Sequence, residues 1–254
     1  MSFPVASIIE WLDQTLDPTR VDDYGPNGLQ VDASQRATRV VTGVTANLAF
    51  IDAAIAAHAE LAVVHHGLYW NGARATATGA LGRRLARLFG AGVSLAAYHL
   101  PLDGHPELGN ASELARAIGL TQIAPAFAAR GIATGCTGVW NPALRPEDAD
   151  ALLRARISER LLFFHGGPPM IAKVGVVTGG APRLAEDARR LGCDLFVTGE
   201  AGEYSQATAR EDGIHIAACG HHRTETFGPR ALAARLRATF PGLEAQFLDV
   251  DNPA

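Results

Sequence analysis

Three short apolar segments of this 254-residue chain are each followed closely by histidines or carboxylates. These polar residues are His65, His66, His99, Asp103, His221 and Glu225. The apolar segments, residues 61–64, 93–98 and 214–218, are typical of strands buried on both faces of a parallel sheet. Because ligands of open α/β sheets sit beyond the carboxyl ends of strands, we expect the three clusters to converge in one cleft between two lobes.

The residue types in these clusters are those that bind divalent metal ions. Imidazole suits zinc, iron and manganese, and a carboxylate can bridge two ions. Five such donors are many for one open ion and about right for two ions with positions left for water. We therefore predict two divalent ions (zinc, iron or manganese) held by His65, His66, Asp103, His221 and Glu225. If residues 221–225 are helical, the last two of these side chains lie on one face and can reach the same ion.

Several residues near these clusters have simpler interpretations. His58, His165 and His215 have the character of hydrogen-bonded structural histidines. Glu200 follows the strand that corresponds to the one before His65, and it either supports a metal ligand or caps the next helix. One of the two adjacent histidines could pack while the other binds a metal. Cys219 has the character of a buried, unreactive thiol.

Composition excludes several classes of protein. The 22 basic and 26 acidic residues leave a net charge of −4 without a basic patch, which argues against nucleic-acid binding. No apolar run approaches the length that spans a bilayer, and no secretory signal is visible. Three distant cysteines form neither a disulfide framework nor a cysteine zinc site. We therefore expect a cytoplasmic protein that acts on a small molecule and does not bind a membrane.

Nucleophile and phosphate-loop motifs are absent from the sequence. There is no Gly-x-Ser-x-Gly elbow, and the position of Lys173, which is the only lysine, excludes a P-loop. Gly179-Gly180 follows a predicted strand and could approach a phosphate, although two glycines are weak support for such a site.

The alternation of short apolar runs with amphipathic stretches predicts an α/β fold with mixed, largely parallel sheets. Segments at an offset of 133 residues match, as in Val63-Val64 over Phe196-Val197. We infer two related lobes of residues 1–127 and 128–254, with the junction between residues 121 and 135 and the C-terminal segment packing back on the first lobe. Ser7 and Glu10 fit a capping box for a first helix over residues 8–16, and Asn110 fits the cap of a helix that reaches residue 118.

The ordered motifs of the chain resemble those of the Nif-three-like family of dinuclear-metal proteins. The matching segments are DYGPNGLQV at 23–31, HHG at 65–67, YHLPLDGHPELGN at 98–110, TGE at 198–200, GHHRTETFG at 220–228 and the end of the chain. The resemblance implies the short bacterial form, with two α/β lobes and a toroidal homohexamer. It also implies the same five metal ligands, with His99 and His222 as close neighbours of the metals.

Some members of this family are described as GTP cyclohydrolase I type 2 homologues. The resemblance therefore implies a hydrolase in which water adds to C8 of guanine, the imidazole ring opens and formate leaves, with His99 or Glu200 moving protons. A broader hydrolase that acts on a phosphoester or on another amidine would use the same residues. A metal-handling protein or a hexameric scaffold without turnover is the alternative.

Overall fold

The computed structural model describes residues 1–74 and 76–254, and helices alternate with strands along the chain. The strands are β1 (Phe3–Pro4), β2 (Gly28–Val31), β3 (Arg36–Ala37), β4 (Arg39–Thr45), β5 (Leu61–His66), β6 (Ser94–Ala97), β7 (Thr121–Ala129), β8 (Ile132–Leu144), β9 (Leu162–Phe164), β10 (Ile171–Val176), β11 (Leu195–Thr198), β12 (His215–Ala218) and β13 (Glu244–Phe247). The helices are α1 (Val5–Leu16), α2 (Leu48–Ala56), α3 (Gly79–Ala91), α4 (Leu100–Asp103), α5 (Asn110–Ala117), α6 (Pro146–Arg156), α7 (Ala185–Arg190), α8 (Ser205–Asp212), α9 (His221–Thr224) and α10 (Phe227–Thr239). The predicted α/β class with mixed sheets is confirmed.

The chain divides into two compact units. The first contains Met1–Leu102 and Gly228–Asp251, and the second contains Asp103–Phe227 and Asn252–Ala254. This division differs from a boundary at 127/128, because residues 103–127 lie in the second unit. The reason is pairing: β7 pairs with β8, whereas β13 pairs with β4 and so carries most of the C-terminal segment into the first unit.

The first unit is built on a sheet with the strand order β13-β4-β5-β6-β2. The pairs β13–β4, β4–β5 and β5–β6 are parallel, and β2 closes the edge antiparallel to β6. Its central strand, LAVVHH, is buried until its last residue, as the uninterrupted apolar run predicts. Phe50 and Ile51 of α2 and Leu88 of α3 pack against this sheet in one apolar cluster. The parallel strands therefore bring β5 and β6 to a common carboxyl edge.

The second unit repeats the strand–helix–strand–helix–strand order in β10, β11 and β12. These strands are parallel, and the antiparallel strands β8, β7 and β9 extend the sheet on both sides in the order β7-β8-β10-β11-β12-β9. Parallel pairing thus dominates the first sheet, whereas the second combines a parallel centre with antiparallel edges. Val174 and Leu195 are fully buried at its core, as the repeat at 133 residues predicts.

The segment between residues 121 and 135 is not a linker. It forms β7 and the start of β8, which pair from Ala129↔Ile132 back toward Thr121. The two residues that join the strands, Arg130 and Gly131, have φ angles of 48° and 89°. Two successive positive φ angles match the twist of a tight hairpin, and glycine accepts this conformation without strain. The alternating small residues of β7 give no strong apolar period, so the hairpin is not visible in the sequence.

Two predicted helix starts are wrong. Helix α1 begins at Val5 with Pro4 as its N-cap, so Ser7 lies inside the helix and no side-chain cap forms. Helix α5 has Gly109 at its N-cap, and Asn110 is its first residue. Its amide instead donates a hydrogen bond to a carboxylate of the candidate site, described below. Within residues 1–74 and 76–254, no helix is both long and apolar enough to cross a lipid bilayer.

His215 is a structural histidine, as predicted, and it makes stability depend on pH. Its Nε2 lies 2.9 Å from the Pro168 carbonyl oxygen, so Nε2 donates and the neutral ring is satisfied. Burial lowers the pKa of His215 below its ordinary value of 6.5, outweighing the opposing effect of the Pro168 carbonyl. The unfolded chain therefore binds this proton more readily than the folded chain, and stability is lost as the pH falls below about 6.5.

We expect His215→Gln, which keeps a donor near Pro168, to remove this contribution. Urea unfolding between pH 8 and pH 5 should show a free energy of unfolding that falls more steeply for the wild type than for the variant, by up to ~1.4 kcal/mol per pH unit. At pH 8 the His215 ring of the wild type is neutral and the variant has no ring there. The difference in free energy of unfolding between the two proteins at pH 8 is therefore the reference. Parallel curves for the two proteins would contradict this assignment.

Candidate metal centre

In the first unit, three imidazole rings meet at the carboxyl edge of the sheet. His65 and His66 are the last two residues of β5, and His99 lies just beyond β6. One ring nitrogen of each histidine lies within 4.8 Å of one from each of the others. Successive residues of a strand normally point to opposite faces, but the ring centroids of His65 and His66 are only 4.6 Å apart. Both adjacent histidines therefore belong to the cluster.

Each of these rings has an oxygen partner at Nδ1. The Tyr98 carbonyl oxygen lies 3.2 Å from Nδ1 of His65, and Thr45 Oγ1 lies 3.1 Å from that of His66. A carbonyl can only accept, so Nδ1 of His65 donates and the lone pair of its ring is on Nε2. Oxygen partners of this kind orient metal-binding imidazoles and fix their tautomers. The cluster therefore has the chemistry of a set of Nε2 ligands.

The third ring, His99, is held by Asp23. Its Nδ1 lies 2.8 Å from Asp23 Oδ1, and the same carboxylate accepts from the backbone N–H groups of Tyr24 and Leu100 and from the side chain of Asn27. Burial raises the pKa of the Asp23 carboxyl, but the hydrogen bonds from His99 and Asn27 outweigh it, and the net pKa is lowered. A buried carboxylate that accepts from Nδ1 in this way fixes the orientation and the tautomer of the imidazole.

We expect Asp23→Asn to destabilise the first unit. Oδ1 and Oδ2 each accept two hydrogen bonds, so an amide in either orientation turns its NH₂ group toward two donors. The free energy of unfolding should fall by ~2 kcal/mol, the usual cost of losing charge-assisted bonds in a buried site. Urea unfolding of the metal-free protein measures it, and Asp32→Asn, at an exposed aspartate of the same unit, is the control. Equal stability of the two variants would refute the role of Asp23.

In the second unit, Asp103 is a buried carboxylate with oriented oxygen atoms. Asn110 Nδ2 donates to its Oδ1 over 2.9 Å, and Thr178 Oγ1 donates to the same atom over 3.2 Å. The Asn110 side chain that the sequence suggested as a helix cap therefore supports a predicted metal ligand. Asp103 itself is the last residue of α4, which directly follows His99.

Two further carboxylates of the second unit, Glu225 and Glu200, flank His221. Glu225 is 3% exposed, and its Oε1 lies 3.1 Å from Nε2 of His221. Glu200 Oε1 lies 2.6 Å from Nδ1 of the same ring. The hydrogen bond to Glu225 raises the pKa of His221 to about 9 against the opposing effect of burial, and Glu200 adds to the rise. Of the two roles considered for Glu200, the structure favours support of His221, since helix α8 begins only at Ser205.

Gly179 brings the backbone directly against this group of side chains. A Cβ atom at Gly179 would lie 2.3 Å from Glu225 Oε1 and 3.2 Å from His221 Nε2. The Gly179 N–H donates to Thr224 Oγ1, and its carbonyl accepts from the Gly199 N–H. The sequence suggested these glycines only as a weak phosphate loop. A Cβ atom at Gly180 would likewise lie 3.2 Å from Glu200 Oε2, so both glycines leave room for the carboxylates of this group.

Some residues of the site carried no recognisable signal in the sequence. Asp23 and Asn27 lie in the motif DYGPNGLQV, whose glycines and proline indicate only a loop. Gln30 closes the same loop, because its Oε1 accepts from the Leu68 N–H and its Nε2 donates to the Pro26 carbonyl. Cys219, by contrast, is the unreactive thiol that was predicted: it is fully buried, and burial raises its pKa to about 12.

The donor types in each unit fit divalent metal ions. The first unit offers oriented imidazoles, and the second offers buried carboxylates with one imidazole. Buried carboxylates are costly unless a cation or strong donors compensate them. A model of the family described as Duf34/NIF3 (NGG1p interacting factor 3) matches residues 3–253. The chain belongs to the DUF34/NIF3 family. The resemblance indicated by the sequence motifs is therefore confirmed.

Similar proteins of this family cover the whole chain. A protein of Allochromatium vinosum named GTP cyclohydrolase 1 type 2 homolog is 41% identical over 98% of this chain and 97% of its own. One of the same name from Pseudomonas aeruginosa is 38% identical over the full length of both. Among solved structures, the protein ybgI, of unknown function, has a TM-score of 0.93 at 34% identity, covering 99% of this chain and all of its own. A Thermus thermophilus protein, TTHA1606, has a TM-score of 0.89 at 32% identity with the same coverage.

Proposed function

We propose that this protein binds two divalent metal ions and hydrolyses a nucleotide-like small molecule. The proposed ligands are His65, His66, Asp103, His221 and Glu225. The observation that carries the proposal is the support behind the imidazoles: Tyr98 O behind His65 and Glu200 behind His221. Such oxygen partners behind imidazole are typical of metal ligands. Here they orient the rings of His65, His66 and His99, which each place a nitrogen within 4.8 Å of the others.

The proposed ligands are of two chemical kinds. Imidazoles and carboxylates together make a mixed donor set, which suits zinc, iron or manganese. When bound, the ions would supply Lewis acidity and lower the pKa of water. The names of the relatives suggest GTP as the substrate, and release of formate from C8 of guanine is the reaction that we propose first.

His99 and Glu200 are the proposed proton-handling residues. In the proposed role, Nδ1 of His99 donates a hydrogen bond to Asp23 Oδ1. The lone pair of the ring is then on Nε2, which can accept a proton. Glu200 is about half exposed while its Oε1 contacts His221, so it reaches both solvent and a ligand. One residue therefore can take a proton beside the imidazole cluster, and the other can exchange one with water while it orients His221.

The test is release of formate from GTP by the metal-loaded protein. We expect turnover in the wild type and in the exposed control variant Asp32→Asn, and none in Asp103→Ala. Metal content should be measured for each preparation, so that loss of ions is distinguished from loss of chemistry. If the metal-loaded wild type releases no more formate than Asp103→Ala, the cyclohydrolase proposal is wrong. A screen of other nucleotides and phosphoesters then tests the broader hydrolase.

A metal-handling protein or a hexameric scaffold remains the alternative to a hydrolase. Histidine and carboxylate ligands without cysteine suit exchangeable ions better than tight storage. A metal-handling protein should pass its ions to an acceptor apoprotein, and a scaffold should form the hexamer without turnover. The native mass measured with and without metal ions tests the hexamer. Ions that resist chelation for days and never transfer would exclude the metal-handling function.

A further inference from the structure

The first unit presents two large aromatic side chains beside its imidazole cluster. Trp70 is 37% exposed and Tyr24 is 45% exposed, although most aromatic side chains of this unit are covered. The ring centroid of Trp70 lies 5.2 Å from that of His99 and 5.7 Å from that of His66. The ring of Tyr24 lies 6.0 Å from that of His99. Both aromatic residues therefore contact His99, which is one of the two proposed proton-handling residues.

The orientation of these rings preserves area for a ligand. Trp70 stands at 83° to His99, and Tyr24 stands at 68° to it. Neither pair is stacked face to face, so His99 covers only part of each side chain. A planar heterocycle binds well to such surfaces, because every aromatic base has a face that stacks on indole or phenol.

The loops that carry the two side chains are held rigidly against each other. The Asn71 N–H donates to the Tyr24 carbonyl over 2.7 Å, and the Asn71 side chain donates to the Asp23 carbonyl over 2.8 Å. Gly25 packs so closely that a Cβ there would lie 2.4 Å from the Tyr69 carbonyl oxygen. The aromatic surface is thus formed before any ligand arrives, which reduces the entropy cost of binding.

We propose that Trp70 and Tyr24 form a stacking platform that selects a planar heteroaromatic ring, of the purine class, and places it beside His99. This inference rests on the proposed function only for the chemistry that follows binding. It specifies the class of substrate: the site accepts a ring-containing nucleotide and rejects an aliphatic phosphoester of similar charge. Trp70 and Tyr24 are positioning residues, since they hold the ring and do not exchange protons with it.

Calorimetric titration with guanosine monophosphate and with ribose 5-phosphate tests the platform. The two probes share the sugar phosphate, so their comparison isolates the ring. We expect Trp70→Ala to weaken binding of guanosine monophosphate by about 10- to 100-fold and to leave ribose 5-phosphate unchanged. Tyr24→Ala should give a smaller loss, and Trp70→Phe should restore most of the affinity. Phe89→Ala, at an exposed aromatic residue on α3 of the same unit, is the matched control and should have no effect.

Several results would overturn this inference. The first is that the wild type binds guanosine monophosphate no more tightly than ribose 5-phosphate. The second is that Trp70→Ala weakens the binding of both probes equally. A change of native mass in Trp70→Ala without a change in ring binding would also reject the platform and assign Trp70 to a subunit contact. Metal content, measured in the same samples, separates the two proposals. Ring binding without metal refutes only the metal centre, and metal binding without ring preference refutes only the platform.

Discussion

A Gly179→Ala variant is expected to bind metal ions about 100-fold more weakly than the wild type. The added methyl group would lie 2.3 Å from Glu225 Oε1, far inside van der Waals contact, so either the carboxylate or the backbone must shift. The backbone cannot shift easily, because Thr224 Oγ1 accepts from the Gly179 N–H and the Gly199 N–H donates to its carbonyl. Removing the partner that supports a metal ligand usually weakens metal binding by about 10- to 100-fold. We expect displacement of the Glu225 ligand itself to have an effect in the upper part of that range.

Gly192→Ala is a closely matched control for this prediction. Gly179 and Gly192 have φ angles of +67° and +76°, so alanine suffers the same backbone strain at both positions. No atom lies within 4 Å of a Cβ at Gly192 in the described structure. We expect both variants to lose stability in urea through the shared backbone strain, with the clash adding to the loss at Gly179, and only Gly179→Ala to lose metal affinity, measured by competition with a chelator. Equal metal affinity in the two variants would show that Gly179 does not position Glu225.

A Glu225→Gln variant is expected to retain fewer metal ions than the wild type. Glutamine keeps the volume of this buried side chain but removes its charge, and neutral amides are weaker ligands for divalent ions than carboxylates. If Glu225 is shared between two ions, metal analysis after dialysis should fall from about two ions per chain to one or fewer. The loss of the charge beside Nε2 of His221 also removes the largest contribution to the raised pKa of that histidine.

Glu211→Gln is the control for Glu225→Gln. Glu211 is an exposed glutamate on α8 of the same unit, so its substitution changes the net charge equally without touching the candidate ligands. Urea unfolding of both variants without metal separates a loss of stability caused by the broken Glu225–His221 pair from a loss of metal binding. An unchanged metal content in Glu225→Gln would remove this residue from the proposed ligand set and leave the remaining four ligands to be tested singly.

The buried parallel strands were the most predictable part of the fold. Residues 61–64 were predicted as a strand, and β5 spans Leu61–His66. The apolar run identifies such a strand because both faces of the sheet are covered, and the polar residues at its end then mark the functional edge. The two lengths differ because His65 and His66 complete the strand instead of following it, which the apolar pattern does not reveal.

The antiparallel additions to the second sheet were not predictable in the same way. Strand β7 contains Pro125 and several alanines, and its pairing with β8 is visible only in three dimensions. Asn110 was equally misleading, since the side chain that suits a helix cap donates to Asp103 instead. A local motif states what a side chain is able to bind, whereas the nearest partner in space decides what it does bind.

The order of motifs in the sequence was enough to assign this chain to an α/β family. It was also enough to select the histidines and carboxylates that are candidates for metal binding. Such residues are recognisable because few other functions need imidazoles at the ends of buried strands. Tertiary structure alone identified Asp23 behind His99 and Gly179 against Glu225, and it decided that Glu200 supports His221. Asp23 and His99 lie 76 positions apart in the sequence, and Glu200 and His221 lie 21 positions apart. Their geometry depends on how strands and loops pack, and no local pattern of residues encodes it.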